Sequence, residues 1–157
     1  MNRPQPDFDM KLKAARTIAE ELVSWGYAEN IDQVAEEIAK AATTTFDGYE
    51  LAKELDFRGW DCDFQICEIL NGFSYSLSNV LRDAEKKWAT ENNIQPPLPL
   101  GMSVVLNSKE TGVIDKIYAG GPAKYAIKID GDEQADTAQQ RRRVVNFEDV
   151  KAAQSIP

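Results

Sequence analysis

The first 93 residues carry apolar side chains at intervals of three and four, a spacing typical of amphipathic helices. This pattern predicts helices over about residues 8–25, 31–42, 48–55, 62–70 and 76–92. Polar residues suited to N-capping precede four of them: Asp7, Asn30, Asp47 and Asp61. Gly26 is expected to end the first helix, and the pair Asn92 and Asn93 the last. We therefore expect an all-α bundle of about five short helices.

A different pattern begins after residue 93. Prolines at three positions within 94–100 cannot continue a helix, so this segment is expected to be a proline-rich linker. Beyond it, apolar and polar residues alternate, which predicts strands over about 102–106, 113–118, 125–129 and 142–147, with a closing helical turn at 148–153. The sequence therefore predicts an α+β chain, with an acidic helical domain at 1–93 and a β domain at 101–157.

The order of segments in the second domain carries a family resemblance. The segments are 101–105, 112–114, 125–127, 143–145 and the region around Val150. In this order, residues 101–153 resemble the SH3-like small β-barrels, the group that includes KOW and Tudor modules. The resemblance implies a partly open five-strand barrel that binds proteins or nucleic acids. It implies no ligand residues, because the sequence has neither an aromatic cage nor a KOW-specific signature. Residues 1–95 resemble no family that we recognise.

The net negative charge comes from the helical part of the chain. The net charge is −8, and residues 1–95 hold 18 acidic against 10 basic residues, while residues 96–157 hold 8 of each. Within 20–63 there are 12 acidic residues and only 3 basic ones. A surface of this kind repels the nucleic acid backbone and attracts basic protein surfaces.

Six acidic residues on the first two predicted helices and their connection are the leading candidates for partner binding: Glu20, Glu21, Glu29, Asp32, Glu36 and Glu37. Glu29, Asp32 and Glu36 follow three- and four-residue spacing and are expected to form one row on a helix face. An ordinary solvated acidic face is the alternative interpretation. The aromatic stretch over 57–75 is expected to be mostly core, with Trp60 and Tyr75 as exposed anchors for a partner.

Basic residues concentrate at one place in the β domain: Lys124, Lys128, Arg141, Arg142 and Arg143. They suit contact with phosphates of a nucleic acid. The alternative is a solvated strand entry, because acidic residues over 130–136 balance their charge.

Catalysis has few candidate groups in this sequence. Histidine is absent, which excludes Ser-His-Asp and Cys-His pairs and every His-ligated metal site. Cys62 and Cys67 stand among carboxylates over 56–68, where carboxylate or thiol chemistry is the least favoured hypothesis. We expect a capped acidic helix start with buried thiols there, and neither a metal nor a cofactor.

These features favour a non-enzymatic binding protein whose acidic helical surface engages, and inhibits, a basic nucleic-acid-binding protein. In its sharpest form it is a nucleic-acid mimic. Phage-encoded anti-defence inhibitors, anti-CRISPR proteins among them, offer an analogy of size and charge. The alternative is an adaptor that binds nucleic acid through the basic residues of the barrel. No apolar run reaches the roughly 18 residues of a membrane span, and residues 1–8 are polar, so a cytoplasmic protein without membrane contact is expected.

Overall fold

Helices come first along the chain and strands follow, as the sequence predicts. The computed structural model describes residues 2–42, 47–131 and 142–153. The chain belongs to the α+β class, with a five-stranded antiparallel sheet after the helices in its described part. It divides into two compact units, Met1–Glu85 and Lys86–Pro157. The boundaries expected at residues 93 and 101 stay a prediction.

The helices lie close to their predicted places. They are α1 (Phe8–Ser24), α2 (Ile31–Ala41), α3 (Gly48–Phe57), α4 (Phe64–Leu70) and α5 (Gly72–Glu91). The predicted N-caps Asp7, Asn30 and Asp47 are confirmed, since each side chain accepts a backbone N–H of the first turn. Asp61 is wrong as the cap of α4, because Asp63 takes that role by accepting the N–H of Ile66.

A left-handed residue ends three of these helices. Gly26, Gly59 and Asn93 have φ of 79°, 99° and 47°. At each of them its own N–H and that of the following residue donate to carbonyls of the last turns, for example Gly26 N–H to Val23 O and Tyr27 N–H to Leu22 O. Glycine and asparagine tolerate this conformation best, so Gly26 and Asn93 act as the sequence predicts.

Helix α5 begins earlier than predicted. Its first residue is Gly72, where the sequence pattern indicates a loop up to residue 76. The only break between α4 and α5 is Asn71. A Cβ atom at residue 72 would stand 3.2 Å from Cδ1 of Ile18 in α1, so the absence of a side chain allows α5 to start in close contact with α1.

The helical unit closes around one apolar core. Its fully buried members include Leu22, Ile38, Leu55 and Phe73. Beside this core, the guanidinium of Arg3 donates to the carboxylate of Glu85 at 3.0 Å, and both side chains are buried. The N-terminal segment is therefore held against α5 by a charged pair that lies out of solvent.

The sheet is built from β1 (Ser103–Leu106), β2 (Thr111–Ile117), β3 (Lys124–Ile129), β4 (Arg142–Asn146) and β5 (Val150–Ala152). Their spatial order is β4-β3-β2-β1-β5, and every neighbouring pair is antiparallel. A short 3-10 turn, Phe147–Asp149, precedes β5, so the helical turn expected over 148–153 is replaced by this turn and a strand. The register between β2 and β3 shifts by one residue at Asp115.

The core of the second unit includes part of the segment expected to be a linker. Tyr125 and Ile127 are fully buried, and the rings of Tyr125 and Phe147 lie 4.4 Å apart. Ile94 and Leu98 pack against this core. The prolines at 96, 97 and 99 stay exposed. Within the described ranges, no helix combines the length and the apolar character needed to cross a membrane.

Candidate protein-binding surface

An open cleft runs between α1 and α2 in the helical unit. Its volume is about 640 Å³. The lining residues are Phe8, Asp9, Leu12, Lys13, Arg16, Asp32, Ala35 and Glu36. Ala35 is buried and Leu12 packs against the core, so the floor is apolar while the rim is charged. The cleft falls within the size range of ligand and side-chain pockets.

Three of the six predicted acidic candidates are engaged in ion pairs around this cleft. Arg16 contacts Asp32 at 2.5 Å and Glu20 at 3.7 Å, and Lys40 contacts Glu36 at 2.6 Å. All of these side chains are more than half exposed. Pairs of such exposure contribute only about 0–1 kcal/mol each. The carboxylates can therefore exchange their present cation for one on a partner at little cost.

The predicted row of three acids is only partly realised. Asp32 and Glu36 lie on α2 four residues apart, but Glu29 precedes the cap Asn30 and is outside the helix. The cap fixes the start of the helix at Ile31, which breaks the spacing on which the row depended. Glu29 and Glu21 are exposed, and neither has an ion pair within the part of the chain that the structure describes.

Glu37 and Trp60 meet away from the cleft. The indole N–H of Trp60 donates to Glu37 at 2.6 Å, and Gln33 donates to the other carboxylate oxygen at 3.0 Å. Trp60 is half-buried and packs against the core, so it is less exposed than expected, and its role as a partner anchor stays a prediction. Gly59 is the physical reason: its left-handed turn folds the chain back, and Trp60 N–H then bonds Leu55 O at 3.0 Å.

The exposed aromatic residues of the 57–75 stretch are only partly those expected. Tyr75 is 73% exposed, as its role as an anchor would require. Phe57 and Phe64 are 88% and 78% exposed, although the sequence pattern predicts most of this stretch to be core. Phe73 alone of these phenylalanines is fully buried. The overlooked signal is position: Phe57 ends α3 and Phe64 begins α4, where side chains leave the apolar stripe.

Three of the basic residues predicted to contact phosphate are bound to carboxylates. Lys128 and Arg142 pair across β3 and β4, and both reach Asp115, at 3.1 and 2.5 Å. Arg143 contacts Glu110. Hydrogen bonds from Arg142 and Lys128 lower the pKa of Asp115 below its ordinary value of 3.8. Lys124 lies at the start of β3, and Arg141 falls outside the described residues.

The two thiols lie in a setting that holds them protonated. Desolvation raises the pKa of Cys62 to about 12, and the neighbouring Asp56 carboxylate adds to the effect. Desolvation and then Asp56 also raise the pKa of Cys67. A protonated thiol is a poor nucleophile and a poor metal ligand. Over residues 2–42, 47–131 and 142–153, no cluster of three cysteine, aspartate or glutamate side chains is arranged to hold a metal ion.

Comparison of the chain with protein-family models, with curated proteins and with solved structures finds no match.

Proposed function

We propose that the helical unit binds a basic, nucleic-acid-binding protein and inhibits it by occupying the surface that nucleic acid would use. The observation that carries this proposal is the division of charge. Residues 1–85 hold 17 acidic and 8 basic residues, a net of −9, whereas residues 86–157 hold 9 acidic and 10 basic residues, a net of +1. Electrostatic attraction of this kind accelerates association with a basic surface and repels nucleic acid.

The α1–α2 cleft supports an interface built on more than charge. Asp32 and Glu36 stand on the rim and Leu12 forms part of the apolar floor. A partner cation can replace Arg16 or Lys40 at a carboxylate while an apolar side chain enters the cleft. Interfaces commonly combine a desolvated apolar centre with a charged rim in this way.

The inhibitory form of the proposal follows from the kind of partner. A protein that binds nucleic acid through a basic surface loses activity when an acidic protein covers that surface. Small phage-encoded inhibitors, anti-CRISPR proteins among them, remain the analogy in size and charge. Inhibition requires no reaction, which agrees with the raised pKa of Cys62 and its weak nucleophilicity.

The nucleic-acid adaptor is the less favoured function. Phosphate contact would have to compete with Asp115 for Lys128 and Arg142, and with Glu110 for Arg143. A gel shift with DNA and with RNA separates the two functions, because the acidic inhibitor is expected to produce no shift.

We also propose the finer description of the fold, which is a five-helix bundle followed by an SH3-like barrel. The strand order β4-β3-β2-β1-β5 and the 3-10 turn before β5 support it, since SH3-like barrels place the last strand beside the first in this way. Such barrels serve unrelated functions, so the fold itself adds nothing to the choice of partner.

The experiment is affinity capture from host lysate with the tagged full chain, followed by mass spectrometry. We expect a basic nucleic-acid-binding protein that is lost as salt rises from about 0.05 to 0.5 M. Asp32→Lys with Glu36→Lys is expected to abolish capture. Asp83→Lys with Glu91→Lys changes the charge equally on α5 and is the matched control. Capture that persists at high salt, or that is unchanged by the α2 substitutions, would contradict the proposal.

A further inference from the structure

Two exposed phenylalanines flank the turn between α3 and α4. Phe57 is the last residue of α3 and Phe64 the first of α4, and their side chains are 88% and 78% exposed. Phenylalanine is among the residues most often buried, so two solvent-facing rings beside one turn are unusual. Exposed aromatic side chains of this kind are enriched where proteins bind partners.

The turn that carries these rings is held in place at both of its sides. Asp56 accepts the N–H of Cys62 at 2.7 Å, and Asp63 accepts that of Ile66 at 2.8 Å. At the far end of the same pair of helices, Gly48 N–H donates to Asn71 Oδ1 at 2.8 Å. The start of α3 therefore lies beside the end of α4, which places Phe57 and Phe64 at the same end of the helix pair. A surface fixed before binding loses little entropy when a partner docks.

The close approach at Gly48 determines how near to each other the two helices can lie. A Cβ atom there would stand 2.5 Å from both Cys67 O and Asn71 Oδ1. Only glycine permits α3 to start so near the backbone of α4. The separation of the two helices at this end is therefore set by the close approach of Gly48 to Cys67 O and Asn71 Oδ1.

The charge around the two rings indicates what kind of partner can bind there. Asp61 and Glu68 are exposed and have no ion pair among the described residues. The nearest basic residue along the turn, Arg58, is bound to Glu54 at 2.9 Å. An apolar surface bordered by unneutralised carboxylates attracts cations and repels anions, so a second copy of this acidic unit is a poor occupant.

We propose that Phe57 and Phe64 anchor a lysine- or arginine-rich segment of the partner that carries apolar side chains between its cations. The proposal rests on the proposed function, because it assumes a basic partner, and it assigns a second contact away from the α1–α2 cleft. Apolar side chains of the segment cover the two rings, while its cations meet Asp61 and Glu68. Cations can also lie over the aromatic faces.

The test compares two synthetic peptides of equal length and charge, one of lysine and leucine and one of lysine and serine. Fluorescence anisotropy with the full chain is expected to give about tenfold tighter binding of the lysine–leucine peptide. Phe57→Ala with Phe64→Ala is expected to remove this preference. Tyr49→Ala is the matched control, since Tyr49 is an exposed aromatic residue at the other end of α3 and its loss should leave the preference intact.

Two further measurements test the contribution of the carboxylates and the folding of the variants. Asp61→Lys with Glu68→Lys should weaken both peptides, and thermal unfolding should show that every variant remains folded. Equal binding of the two peptides, binding of neither, or a preference that survives loss of both rings would overturn the anchor. The proposed function would still stand if salt and the α2 substitutions abolish capture of the partner. A dimer that dissociates on loss of the rings would instead assign the surface to self-association.

Discussion

The hydroxyl of Tyr125 binds residue Leu98 through both of its backbone groups. It donates to Leu98 O and accepts from Leu98 N–H, each at 2.8 Å. The ring of Tyr125 is fully buried in the core of the second unit. One side chain thus attaches the proline-rich segment to β3. Leu98 is the attached residue, and exposed prolines lie on either side of it.

Tyr125→Phe is expected to lower the free energy of unfolding of the second unit by about 1–2 kcal/mol, because it leaves two partly buried backbone groups without their partner. Denaturant unfolding measures the loss, and hydrogen exchange at residue 98 should accelerate. Tyr118→Phe is the control, since the Tyr118 hydroxyl has no hydrogen bond among the described residues. Equal effects of the two substitutions would contradict the role of the Tyr125 hydroxyl.

The Arg3–Glu85 pair gives a second prediction. Arg3→Met should destabilise the helical unit by about 3 kcal/mol, because it leaves the buried Glu85 carboxylate without its guanidinium. Replacing both residues, Arg3→Met with Glu85→Leu, should recover most of that loss, since the buried carboxylate that lost its guanidinium is then removed as well. Urea unfolding of the three variants with the wild type forms a double-mutant cycle. A double variant less stable than Arg3→Met would contradict this account.

Cys62 gives a prediction about reactivity. With a pKa of about 12, against 9.0 for an ordinary thiol, its thiolate fraction at pH 8 is about a thousandfold lower. The greater nucleophilicity of a more basic thiolate offsets part of this, so we expect Cys62 to react with iodoacetamide on the order of a hundredfold more slowly than free cysteine. Asp56→Asn should speed the reaction, because it removes a negative charge and keeps an oxygen that can accept Cys62 N–H. The rates are measured in a Cys67→Ala background. Rapid alkylation of the wild-type thiol at pH 8 would show that Cys62 is not held protonated.

Asp115 gives a prediction about acid stability. Its pKa lies below 3.8 in the folded chain, so its ion pairs stabilise the sheet above pH 3.8, and this stabilisation is lost as the pH falls through the folded value. Asp115→Asn should therefore be less stable than the wild type at pH 5, and the difference should disappear toward pH 2. Asp130→Asn, an exposed position at the end of β3, is the control and should match the wild type. A difference that persists unchanged at pH 2 would exclude the ion pairs as its source.

The order of elements could be predicted from sequence because each depends on local chemistry. Asp7, Asn30 and Gly26 act on the backbone within a few residues of themselves. The cap of α4 could not be predicted in this way, because Asp61 and Asp63 are both suitable N-cap residues. A contact outside the helix distinguishes them: Asp56 accepts the N–H of Cys62, and the turn then continues to Asp63.

The exposed residues of the candidate surface were less predictable because exposure depends on contacts between elements. Trp60 turns inward to reach Glu37, a residue 23 positions away. Phe57 and Phe64 turn outward because they stand at helix ends beyond the packed stripe. The spacing of apolar residues in the sequence predicts neither of these orientations. The same limit applies to the basic run, whose partners Asp115 and Glu110 come from other parts of the sheet sequence.

The one-residue shift between β2 and β3 has an evolutionary consequence. Asp115 is the extra residue in the register and also the carboxylate that Lys128 and Arg142 share. Deletion of this one codon would restore regular pairing and at the same time remove the carboxylate that Lys128 and Arg142 share. A descendant with that deletion would gain a regular β2–β3 ladder and lose the ion pairs through which Asp115 connects β2 to β3 and β4.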